Sequence, residues 1–91
     1  MGKLGRIPIK STRIASRIIG GEAVIVLPAE GYVIALNTTA TSIWKAIDGR
    51  KTIEDIISAV VQKYDVGEKK AREDVKRFLK DLQRKKIVFL R

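Results

Sequence analysis

Gly31-Tyr32-Val33-Ile34-Ala35-Leu36-Asn37 is the stretch on which the reading of the fold turns. Its β-branched and aromatic residues predict a strand over Tyr32–Leu36. Asn37, Thr38 and Thr39 are all good helix N-caps, so the strand is expected to stop there and hand the chain to a helix. The strand is also apolar on both faces. A half-exposed antiparallel strand alternates apolar and polar residues at period 2, and this one does not. Something is therefore expected to cover its second face.

On the N-terminal side, Pro28-Ala29-Glu30-Gly31 reads as a turn. Before it, Glu22–Leu27 is a β-branched strand, and Gly20-Gly21 is a turn that separates it from an earlier strand over Ile14–Ile19. Residues 13–36 thus predict a three-stranded antiparallel meander. Residues 1–12 show no sustained periodicity and are expected to form a flexible basic arm or an irregular edge segment, set apart from a single domain over residues 13–91.

On the C-terminal side the period changes to that of a helix. Ala40, Ile43, Trp44 and Ile47 lie at i, i+3, i+4 and i+7. Asp48-Gly49 stops this helix, and Thr52 with Asp55 forms a capping box for the next. Ile53, Ile56, Ile57, Val60, Val61 and Tyr64 then make one apolar stripe. A third helix is expected from Glu68 to Lys85, with Ala71, Val75, Phe78, Leu79 and Leu82 inward. Arg72, Lys76 and Gln83 flank one side of that stripe, and Asp74 and Asp81 flank the other. Ile87–Leu90 is either a short strand or a packed tail. The fold class is therefore α+β: a meander followed by three helices, in a winged-helix-like order.

Composition narrows the chemistry. The chain has 91 residues, no Cys and no His, which removes disulfides, thiolate metal sites and the commonest general base. Ser11, Ser16, Ser42 and Ser58 lack a His to activate them. Glu54-Asp55 and Glu73-Asp74 are helical neighbours that point in different directions. No cofactor, no metal and no catalytic residue is expected. No apolar run approaches the roughly 18 residues of a membrane span, and the basic N-terminus lacks the apolar core of a signal peptide. A soluble, cytoplasmic protein is expected.

The formal charge of +9 is uneven. Residues 1–20 carry five basic groups and no acids, whereas residues 66–91 carry ten basic and four acidic groups. A basic helix suits nucleic acid, an acidic peptide or nothing but solvent. The nucleic-acid reading rests on Arg77, Lys80 and Arg84, on the outward face of the third helix. Glu73, Asp74 and Asp81 on the same helix oppose it, and it is the runner-up. Three occupants are left for the free edge of the Tyr32 strand: an extended peptide, a second copy of the chain, or the Ile87–Leu90 tail.

From Val33 to Val88 the sequence resembles the family of PqqD, the peptide chaperone of pyrroloquinoline quinone biosynthesis. The matching residues are Leu36-Asn37, Ala40, Ile43-Trp44, Asp48-Gly49-Arg50-Lys51-Thr52, Ile56, Tyr64-Asp65-Val66, Asp74-Val75, Phe78-Leu79 and Leu82. The resemblance implies a domain that binds the leader of a ribosomally made precursor peptide and presents it to a modifying enzyme, often a radical S-adenosylmethionine protein. It also implies where the leader sits. The strand edge would be Tyr32, Val33, Ile34, Ala35 and Leu36, and the helix wall Arg72, Val75, Lys76 and Leu79, with Arg72 and Lys76 selecting acidic residues. Two positions depart from the family pattern: Gly67 stands where relatives place a capping Asp or Ser, and Lys86 where they place the Gly that ends the third helix.

Overall fold

The computed structural model describes residues 5–91. Eight elements follow one another: β1 (Pro8–Lys10), β2 (Ala15–Ile19), β3 (Glu22–Leu27), β4 (Tyr32–Ala35), α1 (Thr38–Ala46), α2 (Ile53–Tyr64), α3 (Glu68–Arg84) and β5 (Val88–Leu90). Strands β2, β3 and β4 form an antiparallel sheet in that order, as the meander reading expects. Alternation along β3 puts Ala23, Ile25 and Leu27 into the core and leaves Val24 and Val26 half-buried on the other face. The three helices cover the first face, supplying Ile43, Trp44, Ile56, Ile57, Val75 and Leu79 to one apolar cluster.

The turn from sheet to helix depends on one hydroxyl. Asn37 caps α1 by accepting the Ala40 N–H at 2.8 Å, and its own carbonyl accepts the Thr41 N–H. Thr41 sits one turn into α1 and is fully buried. Its Oγ1 accepts the Ala23 N–H at 2.8 Å and lies 3.4 Å from the Leu36 carbonyl, to which it donates. Leu36 N–H meanwhile donates directly to the Ala23 carbonyl at 2.9 Å. The last rung between β3 and β4 is therefore half direct and half relayed through Thr41, and this is where the ladder opens.

The Asp48-Gly49-x-x-Thr52 run is a connector. Asp48 Oδ1 accepts the N–H groups of Arg50 and Lys51, each at 2.9 Å, and Gly49 takes a φ of 82°. Those backbone donors, followed by the Lys51 ammonium, hold the Asp48 carboxyl well below the usual carboxylate range. Thr52 and Asp55 complete the expected capping box of α2 at 3.1 and 3.0 Å.

The chain ends correct one expectation. Pro8–Lys10 is not part of a flexible arm: it pairs antiparallel with Val88–Leu90, with Ile9 opposite Phe89. Flanking bonds from Ile7 to Arg91 and from Ser11 to Ile87 extend the ribbon, and the Arg6 carbonyl accepts the Ile53 N–H at the start of α2. Lys10 lies 4.2 Å from the centre of the Trp44 ring, a cation–π contact that ties the ribbon to α1. The first four residues of the expected arm lie outside the described residues. The Ile87–Leu90 segment is thus a strand of this ribbon and does not cover β4.

Both departures from the family pattern are visible. Gly67 gives α3 no side-chain cap. At the other end, Lys86 N–H donates to the Gln83 carbonyl and Ile87 N–H to the Leu82 carbonyl, the bond pair of a Schellman motif. Lys86 therefore takes the left-handed conformation, φ 62°, that a glycine adopts without strain. Replacing Lys86 by Gly should raise the unfolding free energy by about 1 kcal/mol, read as a higher urea midpoint at unchanged slope. Thr41→Val should do the opposite. It strands a buried N–H and should cost about 1–3 kcal/mol in the same measurement.

Candidate functional site, a strand edge beside an interhelical groove

Among the described residues β4 is the last strand of its sheet, so one of its edges is unpaired. Which groups it presents there follows from register. In an antiparallel pair, opposed residues alternate between hydrogen-bonded and non-bonded pairs. The Leu36 N–H bond to Ala23 sets the parity, so Ile34 with Ile25 and Tyr32 with Leu27 are bonded pairs. Val33 and Ala35 consequently turn their N–H and C=O groups to the open edge. Their side chains point away from the helices: Val33 is 59% exposed, and Ala35 is exposed as well.

A groove of about 910 Å³ opens where β4 ends, with Asn37 on its lining. It runs between α1 and α3. Its apolar wall comes from Ala40 and Ile43 of α1, Val60 of α2, Val66 and Phe78. Tyr64 also lines it, held by a 2.5 Å hydrogen bond between its hydroxyl and that of Ser42. Among the wall residues Phe78 is only half-buried, so its ring is the large apolar surface on the α3 side.

Charges line the rim. Asp74 lies between Lys70 at 3.3 Å and Arg77 at 3.8 Å, and Asp81 pairs with Lys85 at 3.0 Å. Lys80 and Arg84 also line the groove and form no ion pair among the described residues. The shoulder that looks acidic in sequence is thus neutralised in the fold, while Lys80 and Arg84 of the outward face reach the groove rim.

The residues expected at the site separate into two groups. Val33 and Ala35 sit on the open edge, Ile34 packs half-buried toward the core, and Leu36, 7% exposed, is a core residue. Tyr32 heads the strand and pairs with Leu27. The helix wall needs correction. Val75 and Leu79 are 0% and 2% exposed and serve the core, so neither offers a surface to a ligand. Arg72 turns toward α2, where it forms a bidentate pair with Glu54 and a further bond to Glu68 at 2.8 Å. Lys76 is exposed and does not line the groove. The groove-facing residues of α3 are those on the opposite shoulder, with Phe78 between them. Sequence reasoning placed Phe78 in the buried stripe, and its half-exposure depends on how far α1 stands off.

The Arg72 hydrogen bonds hold the Glu54 carboxyl below its usual range. A depressed carboxylate contributes stability above its unfolded pKa and loses it as the pH falls through the folded one. Arg72→Gln should therefore lower the melting temperature at pH 7. The gap to the parent chain should narrow as the pH is taken below about 4, which thermal melts across that range would follow.

Comparison with known proteins gives three findings. The family model for coenzyme PQQ synthesis protein D (PqqD) matches residues 22–88. Comparison with curated protein sequences gives no match. Among solved structures, the chain is similar to TbiB1 in complex with the TbiA(beta) leader peptide, at 25% identity and TM-score 0.82, covering 88% of this chain and 93% of that one. It shares its fold with a lasso peptide synthetase B1 complexed with the leader peptide, at 17% identity and TM-score 0.81, with 90% and 96% covered. It also shares the fold of the PqqD truncation of Methylobacterium extorquens PqqCD, described as a functional, stand-alone recognition element for ribosomally synthesized and post-translationally modified peptides. That match has 22% identity and TM-score 0.74, with 91% and 88% covered. With its family match running from the first residue of β3 into β5, and the same fold in each of these structures, the chain belongs to the PqqD family.

Proposed function

We propose that this chain is a non-catalytic peptide chaperone that binds the leader of a ribosomally synthesised precursor peptide and presents it to a modifying enzyme. The leader adds as a strand to the open edge of β4, and its side chains reach the groove between α1 and α3. The observation that carries this reading is the uncharged edge itself. Val33 and Ala35 offer outward N–H and C=O groups directly beside an apolar groove. Main-chain pairing at such an edge supplies affinity, and pockets for alternate side chains supply specificity. The similarity to a protein solved with its leader peptide bound supports the same choice over nucleic acid. On this reading the enzyme partner is of the radical S-adenosylmethionine class, as the family resemblance implies.

Parity makes the test sharp. Val33→Pro or Ala35→Pro removes an outward N–H while sparing the ladder to β3, a position where an edge strand tolerates proline. Each should abolish binding of a cognate leader, measured by calorimetric titration, with the far-ultraviolet dichroism of the helices retained. Ile34→Pro removes an N–H bonded to Ile25 instead, and it should lower stability as well as binding. Leader binding that survives both edge prolines would place the site elsewhere.

A further inference from the structure

A second, smaller cleft of about 250 Å³ lies between α1 and α2. Val60 and Tyr64 line both it and the groove described above, so the two are neighbours. Buried Ile56 and Val60 give this cleft an apolar floor, and Ala46 and Ala59 end there in methyl groups, which keeps it open. Lys45 and Lys63, both exposed, line it as well, and no carboxylate does. Neither lysine forms an ion pair among the described residues. Asp65, two residues beyond Lys63, lies outside the lining. Lys63 is held in place by neutral groups instead. Its Nζ donates to Ser42 Oγ at 3.1 Å and lies 5.7 Å from the centre of the Tyr64 ring. An ammonium is thus positioned at the cleft with a hydroxyl and an aromatic partner but no counter-charge.

We propose that this cleft binds a small amphipathic carboxylate, whose apolar body rests on Ile56 and Val60 while its charge is shared by Lys45 and Lys63. The lysines supply charge-assisted hydrogen bonds, stronger than those between neutral groups. Size limits the ligand: drug-sized molecules occupy roughly 300–1,000 Å³, so the cleft takes a single ring or a short chain. A bare phosphate leaves the apolar floor uncovered, and an uncharged hydrocarbon leaves the lysines without a partner. The same chemistry reaches the cleft as a free acid or as a glutamate side chain on the surface of a partner protein. The assignment does not rest on strand addition at β4.

The test is an amide-shift titration of the full chain at constant ionic strength with benzoate and, separately, with N-acetyl-glutamate N-methylamide. Saturable shifts confined to residues 42–46 and 56–64 are expected with at least one of them. Benzoate alone would assign a free acid, and the capped glutamate a partner's side chain. Benzamide, which keeps the ring without the charge, and acetate, which keeps the charge without the body, should give no saturable shift. The affinity of the binding probe should fall about tenfold in Lys45→Gln/Lys63→Gln. It should hold in Arg50→Gln/Lys69→Gln, which removes the same two charges away from both cavities. Ala59→Leu, at an exposed position, fills the cleft with both lysines retained and should abolish binding at an unchanged melting temperature. No saturable shift with either acid, equal binding of benzamide, or binding that survives Lys45→Gln/Lys63→Gln would overturn the assignment and leave strand addition untouched.

Discussion

The Thr41 hydroxyl is the joint on which the domain depends. It takes the donor of Ala23 and donates to the carbonyl of Leu36, so the last rung of the β3–β4 ladder closes through a side chain of α1. A buried backbone donor left without a partner is costly, and here one side chain one turn into a helix supplies the partner. Three elements are fixed relative to each other by that single group. The same joint ends β4 and, through Leu36, sets which of its residues face outward. In a chain of 91 residues the core is modest and the margin thin. A polar contact of this kind therefore matters to the placement of the edge as much as to stability.

Much of the fold was legible because its signals are local. Glu22–Leu27 is a strand by its β-branched run, α2 begins at Thr52 because the capping box is written in four residues, and Asn37 caps α1. The β1–β5 ribbon was not legible. Two three-residue strands carry no periodicity, and they pair across nearly the whole chain. Thr41 was missed for a related reason: a threonine within a helical pattern reveals nothing of the strand N–H it meets.

The helix wall failed on geometry of a different kind. Periodicity gives angles around α3 relative to its buried stripe, but not which neighbour lies on which side. Arg72 and Asp74 flank that stripe from opposite shoulders. The packing of α2 against α3 gives the Arg72 shoulder to Glu54, and the stand-off of α1 gives the other shoulder to the groove. Which shoulder looks outward is a tertiary fact. The net basicity of α3 was legible; that its groove-lining Lys80 and Arg84 form no ion pair among the described residues is known only once the ion pairs are placed.

Open strand edges are hazards that proteins blunt with charge, bulges or cover. β2, the other terminal strand of the sheet, carries Arg17, while Tyr32–Ala35 in β4 carries no charge. An unprotected edge is the arrangement expected of one that pairs with another strand. Main-chain pairing is nearly blind to sequence, however, because every residue but proline offers the same N–H and C=O. An edge alone would accept extended segments indiscriminately. The groove at the end of β4 offers what the edge lacks, an apolar wall of Ala40, Ile43, Val66 and Phe78 beside uniform backbone groups. On the proposed strand addition, affinity and selectivity would fall to these two surfaces, and the strand–helix joint at Leu36–Thr41 holds them side by side.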